Sequence, residues 1–178
     1  NNQYYVKKED DDKNVYLVSS SSIEPFMGTL YDFAESGTFP SVTSATITDV
    51  KVDKENSYEL TQDADNLFWN VSDGKTTEKA DTTKAGTVTS AIGSLAYDKF
   101  VDYNCTDDSK YGFDNPYAVI TVKYTEEEQE TQTVEKTLTI YVGDETGDDR
   151  YVKVDDSKEV YTITKDSLTD ILDSTMSD

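Results

Sequence analysis

The sequence predicts an α+β fold, an antiparallel β-meander closed by amphipathic helices with a partial N-terminal repeat module. Three observations carry this expectation. "YAVITVKY" (Tyr117–Tyr124) and "KTLTIYVG" (Lys136–Gly143) alternate apolar and polar residues, as strands with one buried face do. Near the end of the chain, Leu168, Ile171 and Leu172 recur at helical spacing, which marks a closing helix. Finally, "YVKVDDSKEVYTI" at Tyr151–Ile163 has an earlier relative in "YVKKEDDDKNVYLV" at Tyr5–Val18.

Taken in order, Tyr5–Lys8 and Val15–Val18 read as a hairpin joined by the acidic turn "EDDDKN". Ile23, Phe26, Met27, Leu30 and Phe33/Ala34 follow helical spacing, with Ser22 as N-cap, Pro25 in the first turn and Gly37 as the stop. Strands are expected at about Ala45–Val52, Tyr58–Leu60 and Leu67–Val71, separated by the turn-forming "DKENS" and "DADN". The polar stretch Ser72–Gly86 reads as a loop entering a helix whose face is Val88, Ala91, Ile92 and Leu95. "FVDYNCTDDSKYGFDNP" reads as a connector, and "TEEEQETQT" as the solvated tip between the two alternating strands. Strands at Tyr151–Val154 and Val160–Thr164, with the turn "DDSKE", then lead into the last helix.

The repeat extends beyond its string. Ile23, Phe26 and Met27 follow Tyr16 at the offsets by which Leu168, Ile171 and Leu172 follow Tyr161. The duplicated unit is therefore hairpin plus helix, and the turns differ by one residue. One hairpin with one helix buries too little apolar area to stand alone. Residues 1–37 are therefore expected to pack on the remaining chain or on something outside it; they are read as the end of a preceding repeat module lying mostly upstream of Asn1, and 45–176 as a full module.

The charge narrows the partners. With 37 acidic against 16 basic residues the net charge is −21. Such a surface repels phosphate backbones and anionic lipid, so the expectation is no nucleic-acid partner, and membrane contact only through an anchor outside this chain. The chain contains no histidine and a single cysteine, Cys105, which removes the usual nucleophile–base pairs and the zinc ligand sets. There is no phosphate-cradling glycine loop. Two-carboxylate glycoside hydrolysis is compatible with the residue types, but acids are too abundant for their presence to point anywhere. Calcium is disfavoured: "DDD" (Asp10–Asp12), "DADN" (Asp63–Asn66) and "DETGDD" (Asp144–Asp149) supply oxygens without the spacing of a calcium loop. No cofactor is expected. Trp69, in "LFWNV", shares a strand face with Leu67 and Val71 and is read as core rather than as an interface anchor.

"SLAYDKFVDY", "SKYGFDNPYAVITV", "KTLTIYVG", "YVKVDDSKEVYTI" and the closing amphipathic helix together resemble the bacterial domain-of-unknown-function 4340 family. The likeness covers about Ala45–Met176 as one module, with Tyr5–Glu35 as the end of another. The family's typical tyrosine-glycine-leucine-aspartate turn before a proline reads here as Tyr111-Gly112-Phe113-Asp114-Asn115-Pro116, with Phe113 in place of leucine. The resemblance implies an exported bacterial protein, usually tethered by an N-terminal membrane helix. It also implies tandem modules and genes often near ABC-type transport components. It transfers no catalytic residue and no site. In physical terms the turn is structural: Gly112 suits positive φ, Asp114 can accept from neighbouring amides, and Pro116 needs no ladder donor. Trp69, Tyr111 and Asp114 remain the weak candidates for ligand contact.

The function expected is a non-catalytic exported scaffold or interaction module at the bacterial cell surface. Its expected partner is a protein of the cell envelope, and an ABC-type transport assembly is the implied setting. A glycan- or peptide-binding surface domain is the alternative, and would need exposed aromatics along a groove.

Overall fold

The computed structural model describes residues 2–33, 37–63, 65, 68–128 and 132–175, and the chain divides into two units, Asn1–Ser36 and Gly37–Asp178. In the first, β1 (Gln3–Val6) and β2 (Tyr16–Ser19) form an antiparallel hairpin. Its acidic turn is held by Asp11, whose carboxylate accepts from the Lys13 and Asn14 backbone N–H groups and from the Asn14 amide. The helix expected next is broken into α1 (Ser20–Ile23), a 3-10 turn at Glu24–Phe26, and α2 (Leu30–Phe33). Ser22 is not the N-cap. The helix begins three residues earlier, with Ser19 in the N-cap position, so Pro25 falls past the first turn, where it has no N–H for the helix ladder.

The second unit is built on one antiparallel sheet of nine strands. They are β3 (Ile47–Asp53), β4 (Tyr58–Gln62), β5 (Trp69–Ser72), β6 (Thr77–Lys79), β7 (Lys99–Asp102), β8 (Ala118–Glu128), β9 (Gln132–Thr146), β10 (Asp149–Val154) and β11 (Val160–Thr164). Their order across the sheet is β6-β5-β4-β3-β8-β9-β10-β11-β7. Two helices, α3 (Thr82–Gly93) and α4 (Lys165–Leu172), pack against each other. The architecture is thus the α+β fold expected.

Side-chain alternation fixes the faces. Ala118, Ile120 and Val122 of β8 meet Leu138, Ile140 and Val142 of β9, all fully buried. On the other side of β8, Val52 stands opposite Ile120 and Val50 opposite Val122. A register shift between Ile47 and Asp49 lets Ile47 also turn inward. Val88 and Ile92 of α3, and Leu168, Ile171 and Leu172 of α4, join this same core. The opposite face carries a smaller cluster of Cys105, Tyr111, Phe113 and Val160, with Val101, Tyr141 and Tyr151 against it.

Two strands escape the sequence pattern. β6 lies within the stretch expected as a loop, because all three of its residues are exposed at the sheet edge and lack an apolar signal. β7 lies within the expected connector and pairs with β11 at the other edge. The acidic tip is also shorter than expected. β8 runs to Glu128 and β9 starts at Gln132, with Glu126 opposite Val134 and paired with Lys136 at 2.5 Å. α3 begins at Thr82, earlier than expected, because Asp81 caps it by accepting from the Thr83 and Lys84 amides at 2.8 and 3.0 Å. Ala34, Glu35, Asn66, Leu67, residues 129–131 and Met176 lie outside the described residues.

Among the described residues two carboxylates are buried in the sheet, Asp49 of β3 and Asp149 of β10. Asp149 is 5% exposed and accepts from Lys99 Nζ at 2.6 Å and Thr162 Oγ1 at 3.2 Å. The Lys99 hydrogen bond, foremost among the causes, holds the Asp149 carboxyl below its ordinary 3.8. Its stabilising contribution is therefore complete above that ordinary value and lost as pH falls through the lower folded value. Asp149→Asn is expected to destabilise at pH 6 and to lose its difference from wild type as pH falls through the lowered folded value of the Asp149 carboxyl. Denaturant unfolding of both proteins across this range checks it.

Candidate functional site

A concave surface with an apolar floor lies between the helices and one wing of the sheet. It is a cleft of about 480 Å³, within the range of small-ligand sites. Tyr58 and Leu60 of β4 and Val71 of β5 form its floor. Ala85 and Val88 of α3 line one wall, and Thr169, Asp170 and Asp173 the other. Glu78, Lys79 and Asp81 stand at one end, while Lys84 and Thr87 frame the mouth. The sequence builds this space with small residues on α3, Ala85 and Thr87, where larger side chains would fill the gap between helix and sheet.

The chemistry of the cleft is that of a surface that holds rather than reacts. Tyr58 Oη donates to the Ile171 carbonyl at 2.7 Å, and burial pushes its phenol well above the ordinary range. It stays protonated and serves as a strut between sheet and α4. Asp81 Oδ1 is taken up by the α3 amides. Lys79 Nζ lies 4.7 Å from the centre of the Phe68 ring, so it is drawn towards that side chain. Among the described residues no group of three or more Asp, Glu, Cys or His side chains gathers as a metal site.

The three sequence candidates do not line this cleft. Trp69 is half-buried and packs on the main core. Tyr111 is buried on the opposite face, with its hydroxyl on Asp102 Oδ2 at 2.8 Å and its ring edge-on to Tyr151 at 5.0 Å. Asp114 is exposed, and among the described residues its carboxylate accepts no hydrogen bond. The turn-closing role expected of it falls instead to Asp107, which accepts from the Ser109 amide and hydroxyl, and to Asp102, which accepts from the Asn104 amide.

The turn itself is a plug for the second face of the sheet. Gly112 has φ +77°, and a Cβ there would lie 2.6 Å from Asp144 Cγ. A Cβ on Gly143 would meet the Tyr111 carbonyl at 2.1 Å and the Phe113 ring at 3.0 Å. Two glycines, one in the turn and one in β9, thus let the backbones touch and seat Phe113 over Cys105 and Val160. Lys153 Nζ covers this plug, 5.0 Å from the Phe113 ring centre and 2.7 Å from Asp108 Oδ1.

What sequence reasoning missed is the cleft, whose lining comes from two helices and three strands with no shared motif. The only signal was the run of small residues in "KAGTVTSA".

Gly143→Ala is expected to destabilise the fold by about 3 kcal/mol, because the added methyl overlaps backbone rather than a movable side-chain end. Gly147→Ala, at φ +65° with nothing within 4 Å, is expected to cost only the left-handed strain of about 1–2 kcal/mol. Denaturant midpoints of the two variants measure the difference.

The family model described as "Domain of unknown function (DUF4340)" matches residues 1–116 and, in a second overlapping pass, 69–178. Neither the curated proteins nor the solved structures hold a match to the chain. The two overlapping matches fit a chain with an internal repeat, and each spans more than half of it. The chain belongs to the DUF4340 family, whose domain has no assigned function.

Proposed function

We propose that the chain is a non-catalytic interaction module of an exported bacterial protein, which binds a protein partner of the cell envelope through the cleft between α3, α4 and β4–β6. An ABC-type transport assembly is the setting proposed for that partner. The observation that carries the reading is the make-up of the cleft. An apolar floor under a charged rim suits the side chains of a polypeptide. Functional sites concentrate ionisable groups with displaced proton affinity. In this cleft the one group described with displaced proton affinity is Tyr58, whose hydroxyl is spent on the Ile171 carbonyl, while the lowered Asp149 and the raised Tyr111 lie outside it, committed to Lys99 and Asp102.

A sugar face is less well supported. Such faces use open aromatic rings, whereas among the described residues the one aromatic lining the cleft is Tyr58, 3% exposed and tied to Ile171. No helix of the described residues is long and apolar enough to cross a membrane, so attachment to the envelope is assigned to sequence other than these helices.

The test is capture from detergent-solubilised envelope membranes on the immobilised chain. Recovery of ABC-type transport components is expected, with at least tenfold loss on Thr87→Trp, which fills the cleft mouth from an exposed position. Recovery of no envelope protein, or capture indifferent to Thr87→Trp, overturns the proposal.

A further inference from the structure

The apolar row at the centre of the sheet ends on a charge. Leu138, Val122, Val50, Leu60 and Val71 stand opposite one another in succession from β9 to β5, and all are buried. The next position in the row is Glu78 of β6, opposite Val71 and exposed. Its side chain leaves the sheet on the face of the cleft, which it lines together with Val71.

β6 is the outer strand of this sheet, and its hydrogen bonds show which backbone groups face outward. The Ala80 N–H donates to the Trp69 carbonyl at 2.8 Å, and the Asp73 N–H to the Thr76 carbonyl at 3.3 Å. Bonded pairs alternate along an antiparallel ladder. Thr76, Glu78 and Ala80 therefore direct their backbone groups at β5, while the N–H and C=O of Thr77 and Lys79 point away from it. Such a row of outward groups is what an added strand pairs with.

We propose that the cleft captures an extended, cationic polypeptide segment, which pairs with the outer edge of β6 and sets a Lys or Arg opposite Glu78 with apolar side chains on either side of it. This rests on the cleft being a protein-binding site, and adds the conformation and charge of what it binds. Every second side chain of the segment lies on the face of Glu78 and enters the end of the cleft that Glu78 and Lys79 line. Charge selects this occupant. The cleft and a second hollow bordered by Glu55 and Asp73 meet at Glu78, and six carboxylates against three lysines line the two. On a chain of net charge −21, a cationic segment is drawn to such an edge and an acidic one is turned away. A second copy of this chain is disfavoured. Two β6 strands pairing antiparallel through all three residues would set Glu78 against Glu78, and like charges directly opposite destabilise a strand pair. The inward charge that guards this edge against its own kind is thus the contact that admits a base.

The probe is a phage-displayed library of random peptides of about ten residues, a long strand's length, selected on the immobilised full chain. The peptides enriched are expected to carry a Lys or Arg with apolar residues two positions before and after it. Synthetic copies are expected to slow hydrogen exchange at the Thr77 and Lys79 amides of the wild-type chain. They are expected to bind at least tenfold more weakly to Thr77→Pro, which removes an N–H that faces away from β5 and so keeps the β5–β6 ladder. Glu78→Lys weakens them as much, and a peptide with Glu in place of its base restores binding to that variant. A selection that enriches no such peptide overturns the proposal, as do peptides that leave the two amides unprotected or bind Thr77→Pro as tightly as wild type. If peptides of that last kind are still lost on Thr87→Trp, strand pairing falls while the cleft stands as a protein-binding site. The selection contains no membrane extract, so a missing envelope partner leaves its outcome unchanged. Light scattering that finds a dimer dissolved by Thr77→Pro also overturns the proposal, by making a second copy the occupant.

Discussion

The pairing of β8 with β9 governs the second unit. Ile120 faces Ile140, Val122 faces Leu138, and Val52 and Val50 extend the same two rows onto β3. Because side chains alternate, a slip of one residue would send these rows to the wrong face, so the ladder is held in register by its own burial. A chain that is only 35% hydrophobic can keep so wide a sheet because its apolar residues are concentrated on these rows. The two helices cover one face, and the Tyr111–Phe113 turn covers part of the other.

Acidic residues serve this framework in three ways. Asp11, Asp73, Asp81 and Asp107 accept from backbone amides at turns or helix starts. Asp149 of β10 pairs with Lys99 of β7, across the intervening β11, and Asp108, in the turn at Asp108–Tyr111, pairs with Lys153 of β10. Others, such as Glu126 across from Val134, line strand ends exposed to water. These uses show why a count of carboxylates carries so little information about chemistry: turn closure, ion pairing and edge protection each draw on the same residue types.

The central strands were legible because half-buried strands write their burial as alternation, and the closing helix because Leu168, Ile171 and Leu172 share one stripe. β6 and β7 were not. An edge strand of three or four residues is held by backbone pairing, which leaves no apolar pattern. The helix after β2 misled in the other direction, since its apolar spacing is real while Pro25 interrupts the ladder. The glycines of the turn were partly legible. Gly112 stands in a recognisable turn string, but the need for Gly143 arises from a backbone contact across about thirty residues that no local pattern encodes. The cleft was invisible for the same reason: its walls meet only once α3, α4 and β4–β6 are in place.

The strand order has a consequence for how the chain acquires its shape. β3 lies beside β8, and β7 lies beside β11, so the two halves of the sheet are sewn together by contacts distant along the chain. A ribosome that has delivered β3–β6 has produced a sheet whose inner edge, with Val50 and Val52, awaits a strand not yet synthesised. β7 likewise emerges well before β11, its partner at that edge among the described residues. Folding of this unit is therefore slow relative to a meander paired strictly in sequence, and largely deferred until the last fifth of the chain has emerged.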